Sequence, residues 1–584
     1  MKRVAFTGAI LFLSAFCLIA CRAAPQPPVA AQGKDAGAPA DAARLRELRI
    51  KARNGNLTVQ EQAEWDKGLK AREQASRRIA APQPPVAAQG KDVGAPADAA
   101  RLRELRIKAR NGNLTAQEQA ELDEGLAARE WANRPKLPPP AVPGRNEAPP
   151  RQYFVDNERG DDKANGLAAK PDSPQGGPVK TLARGVSLLK PGDTLHLAAN
   201  ASPYRESLIL NDVSGNADQP ITIDGHGAAI TGCDPLRADW VEAGAAGLYK
   251  SDQLLSQLEE FGDDAKLMRV FFLFDGVQQR MGRTSKGRKA AFKRPADLKP
   301  GEWTYEAATQ TFYVKVAGKL ADAKVEAPYR RNGVAIRGRA GVSCVVIRNL
   351  VCRHVLNDGF NLHGVGAGIR FENIGAFENG DDGFSPHETI ECSINGYWAC
   401  RNSTGIGLGN LAVTKISNAH LEGNFAYDFA MGHAPVTELS NSVIVTTEPD
   451  AKPLGTINPQ DLKLTFDNVE IRAAGRGNFA LAARSTFTAR RLTAIVPAWE
   501  ITGVANVTES VIGGRAVECK PGGLWKGKNN VYGIETRLIG IEEPDKIQKD
   551  LTPDLFEAKG QPFPSAGADL SAMKIPPCPW GRTK

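Results

Sequence analysis

From Tyr153 onward the chain alternates apolar and polar residues in short runs broken by glycine and asparagine, as in "YFVDNERGDDKANG", "GDTLHL", "YRESLIL" and "QPITIDGHGAAITG". Alternation with period two predicts half-buried strands, and the turn residues between them predict many short ones. Farther along, Phe360, Phe384, Ile406 and Phe429 recur 24, 22 and 23 residues apart in matching surroundings. A repeat of that length predicts one solenoid coil per period, with neighbouring coils stacked about 4.8 Å apart as hydrogen-bonded strands. Coils are expected over residues 151–233, where the chain also needs an end cap, and again over 331–540. Between them, 234–330 breaks the repeat. Its segment "GEWTYEAATQTFYVKV" alternates aromatic and polar residues about a turn and predicts a hairpin in a small β insertion. Residues 541–584 form a proline- and charge-rich tail.

The first quarter has a different pattern. Lys2 and Arg3 precede an apolar run from Val4 to Ala20, the two parts of an export signal. Residues 24–80 then recur almost unchanged as 81–137, a duplication with a period of 57. Each unit joins a Pro/Ala-rich stretch to a charged helical hairpin. Asn54-Gly55-Asn56 breaks it, and Thr58 with Glu61 makes a capping-box pattern. With the proline linker that follows, 22–150 reads as a helical and disordered spacer separate from the β body.

Composition narrows the chemistry. The net charge of +8 over 584 residues is too small to suggest a nucleic-acid partner. Nine cysteines are present, of which Cys17 and Cys21 fall in the leader; the other seven cannot all pair and show no zinc spacing, so most are expected as small buried residues. No nucleotide loop or Ser/His/Asp order is visible.

Strand alternation turns Phe360, Leu362, Phe384 and Pro386 inward and Asn361, His363, Ser385 and His387 outward. His363 and His387 then stack on adjacent coils, with Asp358 beside Asp382 and Asp381 beside Asn357. Gly407, Gly409, Ala430 and Gly432 floor the outward surface next to them, and His433 edges it. Stacked histidines add nothing to a core, so a catalytic role is expected for them. Asp358, Asp381 and Asp382 offer oxygen ligands for Ca²⁺, although Asn, Asp and Gly also stack at coil turns simply to satisfy backbone groups. Arg280, Arg283, Lys286 and their basic neighbours in the insertion would attract an anionic chain.

These patterns resemble known families. The order of the "VD…GDD" strand, a helix ending in "LKPGDTLHL", "Y-R-E" and "P-I-T-I…G…A-I-T-G" looks like the cap and first coils of right-handed parallel β-helix proteins related to pectate lyases. The resemblance implies an all-β solenoid whose open end is plugged by a helix from Lys180 to Leu189. "GFSPHE" resembles the "DPHD" motif of periplasmic alginate C5-epimerases. It implies His387 as the proton-abstracting base and Glu388 as the closing acid, with Ser385 where that family has its first Asp. "GDD" at Gly380–Asp382 resembles polygalacturonases and keeps a hydrolase with paired aspartates as the alternative; a non-catalytic glycan-binding scaffold is the third. Leu18-Ile19-Ala20-Cys21 resembles a bacterial lipobox, which implies lipidation of Cys21 and, with Arg22 following, an outer-membrane anchor.

The expectation is therefore a monomeric, lipid-anchored cell-envelope protein that processes an anionic polysaccharide by lyase or epimerase chemistry. His387, His363, Asp382 and Glu388 would be catalytic, and Asn361, Ser385, Arg280, Arg283 and His433 would contact substrate.

Overall fold

The computed structural model describes residues 142–541 apart from 174, 260–261 and 338–339, together with 108, 140, 547–549 and 566–579. The leader, Cys21 and nearly all of the duplicated spacer lie outside the described residues, as does much of the segment after Ile541. The body is an all-β parallel solenoid of about 9 turns, as the coil period predicts.

One face is a seven-stranded parallel sheet running Leu208–Asn211, Val334–Arg337, Phe360–Leu362, Asp382–Pro386, Thr404–Leu408, Tyr427–Gly432 and Lys452–Ile457. Phe360, Phe384, Ile406, Phe429 and Leu454 occupy one register position on successive coils and are fully buried. The Phe360 and Phe384 rings lie 5.9 Å apart in the continuous core.

The other faces are wrapped by long strands such as Val365–Phe377 and Thr389–Cys400. Each turns a corner at a left-handed residue, which is Gly396 in Thr389–Cys400 and Asn349, Asn373, Asn418, Asn441 and Asn468, with φ between 48° and 59°, in five others. Asparagine tolerates that region and its amide bonds to the next coil, as in Asn373 Nδ2 to Asn349 Oδ1 at 2.9 Å. An internal ladder, Asn379 to Asn402 to Asn424, holds the turns before the site strands at 2.9 and 3.1 Å.

The helix Leu182–Leu188 closes the first coil. Thr181 caps it by accepting from Arg184 N at 3.1 Å, and Leu182 seals against the core.

The sheet passes directly from Leu208–Asn211 to Val334–Arg337, and the coil's other face passes from Ile221–Thr231 to Val345–Arg353, so the chain from Cys233 to about Arg330 is looped out. Most of this excursion forms two four-stranded antiparallel sheets around their own aromatic core of Phe272, Trp303 and Phe312. The hairpin appears as Glu302–Glu306 against Thr311–Lys315, with Tyr305 opposite Phe312.

The described tail, 566–579, runs along the asparagine bends. Asp569, Lys574 and Pro576 bond to Asn468, Asn418 and Trp398 in turn. Cys233, Cys344, Cys352, Cys392, Cys400, Cys519 and Cys578 are free thiols, three of them buried.

Candidate functional site

Register places the candidate residues in three outward rows on the seven-stranded sheet. Asp358 and Asp382 share the first row with Thr404 and Tyr427. Asn361, Ser385, Gly407, Ala430 and Gly455 make the second. Arg337, His363, His387, Gly409 and Gly432 make the third. The expected stacking is therefore present, and the His363 and His387 rings lie parallel with centroids 4.4 Å apart.

Alternation alone does not reveal that the side chains lean along the solenoid axis. His387 lies over Gly409, where an added Cβ would come within 2.7 Å of Nδ1, and Asp382 likewise lies over Gly407. The two glycines are therefore not open floor: they make room for the His387 and Asp382 side chains.

The lean separates the two histidines chemically. Ser385 Oγ donates to Asp382 Oδ2 at 2.9 Å and so accepts from His387 Nε2, also at 2.9 Å. The basic nitrogen of His387 is then Nδ1, turned onto Gly409 and away from solvent. Burial, then the neighbouring His363, push this imidazole down to about 3, so it stays neutral at ordinary pH. His363 is 37% exposed. Its Nδ1 donates to Glu388 Oε2 at 3.0 Å, leaving Nε2 as the basic nitrogen, while Glu388 also accepts from Gly364 N at 3.0 Å.

Asp358, Asp381 and Asp382 converge, with one oxygen of each within 4.8 Å of the others, but all three are buried. Arg269, at the end of the insertion helix Asp263–Arg269, grips Asp381 Oδ2 through Nε at 3.0 Å and a second nitrogen at 2.5 Å. Lys286 bonds to Asp381 at 3.1 Å and to Asp382, and Ser285 bonds to Asp381. Asp358 accepts from Asn361 Nδ2 at 2.6 Å and Asp382 N at 3.0 Å. Burial would raise Asp381, but Arg269 and then Lys286 overcome this and hold it below the usual carboxylate range. Burial, then the charges of Asp382 and Asp381, push Asp358 up to about 8.

The expected Ca²⁺ does not fit this donor set. Two cations and several neutral donors already engage the carboxylate oxygens, and a divalent ion would have to displace Lys286 while facing Arg269.

Two further expectations need correction. Arg280 does not reach toward an anionic chain: its guanidinium is buried over Phe425 and donates to Asn379 O at 2.9 Å and Gly380 O at 2.8 Å. Arg283 stacks on Phe292 and donates to Ala290 O at 2.9 Å. Both fasten the insertion to itself or to the coils. His433 sits in the turn after Tyr427–Gly432 with φ 67°. Sequence reasoning overlooked two residues: Arg269, which carried no motif signal, and Arg337, whose place in the row of His363 was readable from the coil register.

The carboxylate cluster has a pH signature. In the unfolded chain Asp358 ionises near its ordinary value, whereas in the folded chain it keeps its proton to about 8. Across that window the folded state binds more protons, so this group's contribution to stability falls as pH rises from about 4 to about 8. Asp358→Asn is expected to remove that slope, and its advantage over wild type in thermal unfolding should grow across the window. A constant difference would show that Asp358 ionises normally.

No protein-family model and no curated protein sequence matches the chain. Among solved structures, it is similar to the xylose complex of XylC, with 12% identity, a TM-score of 0.40, and coverage of 66% of this chain and 69% of that one. It is also similar to pectate lyase Pel9A, at 14% identity and a TM-score of 0.33, covering 62% and 77%. A third likeness is to the GH136 lacto-N-biosidase from Eubacterium ramulus, at 11% and 0.28, covering 76% and 73%.

Proposed function

We propose that the protein acts on a uronic-acid-containing polysaccharide by removing the C5 proton, as a lyase or epimerase, with His363 as the base. The observation that carries this is the His363–Glu388 pair: a half-exposed imidazole with one nitrogen held by a carboxylate and the other left basic. His387 is the flat, neutral platform on which His363 is stacked. Arg337, at the same outward position one coil earlier, is the group to neutralise the sugar carboxylate and so acidify C5.

Hydrolysis fits less well, because a general acid and base pair must reach both sides of a glycosidic bond. The clustered aspartates are buried and engaged by Arg269, Lys286, Ser385 and Asn361. The reading goes with a bacterial cell-envelope location, supported by the resemblance of Leu18-Ile19-Ala20-Cys21 to a lipobox, which would put a lipid on Cys21.

The test is incubation of the full chain with a panel of uronans in D₂O. Absorbance growing near ~235 nm would report elimination, and deuterium at C5 without chain shortening would report epimerisation; either supports proton abstraction. New reducing ends without unsaturation, or no reaction with any uronan, would overturn it.

A further inference from the structure

We propose that His196 and His226 form a binding site for a divalent transition-metal ion at the capped end of the solenoid, apart from the carboxylate cluster. His196 lies on Thr194–Leu197 and pairs in register with Asp224 on Ile221–Thr231. Two residues on, His226 occupies a left-handed bend with φ 50°. The bend brings its ring beside His196, with His196 Nδ1 and His226 Nε2 2.8 Å apart and the ring centroids 5.1 Å apart.

What distinguishes this pair from a chance contact is the support behind each ring. His196 Nε2 meets Gln152 Oε1, an acceptor, which keeps the proton on Nε2 and leaves Nδ1 bare. The far nitrogen of His226, Nδ1, faces Asp224 Oδ1 at 3.7 Å. Asp224 is fixed by Arg348 Nε at 2.8 Å, Asn349 Nδ2 at 3.0 Å and His226 N at 3.1 Å. The two facing nitrogens lie nearly in line between the rings, so a tilt of the His226 ring turns both to a shared point, while each ring's other nitrogen faces an acceptor, the support that orients metal-binding histidines.

Without metal, His226 Nε2–H donates to His196 Nδ1. When an ion enters, that proton moves to His226 Nδ1, toward Asp224, and the His226 ring tilts so that both lone pairs turn to the metal, with no net proton released.

The donor set selects the ion. Imidazole nitrogens with water suit borderline metals and not Ca²⁺. With metal–nitrogen bonds of about 2.1 Å, nitrogens this close subtend an angle of roughly 85°, which suits tetragonal or octahedral coordination better than tetrahedral. Cu²⁺ or Ni²⁺ is therefore favoured over Zn²⁺. The His226 side chain is 49% exposed, so water can complete the shell.

The full chain should be titrated with CuCl₂ and NiCl₂, with calorimetry for affinity and electron paramagnetic resonance for the copper ligands. Wild type is expected to bind one ion with hyperfine coupling from two imidazole nitrogens. His226→Asn introduces the residue that Asn349 supplies at the same bend, so the fold is retained; it should abolish the site and the second nitrogen. Gln152→Leu, which removes only a support, should weaken binding by about 10- to 100-fold. Absence of a bound ion in wild type, or binding unchanged in His226→Asn, would overturn the proposal.

Discussion

Replacing His363 by alanine is expected to lower turnover by roughly 10²- to 10⁴-fold on whichever uronan the wild type processes, the usual contribution of a positioned acid or base. The fold should survive, because the ring is 37% exposed and its loss exposes no core. The same change at His387 should act differently. That ring fills the space over Gly409 and meets Ser385, which is itself bonded to Asp382, so its removal disturbs a buried polar chain. His387→Ala should therefore lower the melting temperature as well as activity, whereas His363→Ala should lower kcat alone. Glu388→Gln should cost less than His363→Ala, since a glutamine oxygen can still accept from Nδ1. Comparing kcat and Tm across the three variants checks the assignment. Full activity in His363→Ala would remove that residue from the mechanism, and intact stability with lost turnover in His387→Ala would return the base role to His387.

How far these roles were legible depends on which physical rule sets each feature. The coil period survives in the sequence because each coil buries a large apolar residue at the same register, and Phe360, Phe384, Ile406 and Phe429 do so. The alternation that put His363 and His387 outward is equally local, since it follows from the pleat of a single strand. The direction in which an outward side chain leans is set by its neighbours on other coils. The sequence thus shows Gly407 and Gly409 as small residues without showing that Asp382 and His387 lie over them. The charge balance of the aspartates is less legible still. It depends on Arg269 and Lys286, which stand 112 and 95 residues before Asp381 in an insertion whose docking no repeat pattern encodes. A cluster of three carboxylates read without those partners looks like a calcium site; with them, it is a neutralised joint between insertion and coils.

That joint leads to a large effect on stability and on cation binding. Lys286→Met should remove the charge that bridges Asp381 and Asp382 while keeping an unbranched apolar stem. Asp381 retains Arg269, but Asp382 is left buried against Asp381 and Asp358 with Ser385 as its one remaining side-chain donor among the described residues. Breaking a buried ion pair by removing one partner costs about 3–5 kcal/mol, so unfolding by denaturant should shift by that order near neutral pH. The orphaned carboxylate can relieve the penalty by taking up a proton. The deficit relative to wild type should therefore shrink as the pH falls toward the carboxylate range, which is opposite to the behaviour expected if the lysine only packed. A second consequence follows from the charge. With its resident ammonium gone, the cluster regains hard, uncompensated oxygens, and millimolar Ca²⁺ should restore part of the lost stability to Lys286→Met while leaving wild type unmoved. Denaturant curves of both proteins with CaCl₂ and with EDTA decide the matter: a calcium-dependent shift in wild type would mean that the ion can displace Lys286, and no loss of stability in the variant would mean that the ammonium is not holding the joint together.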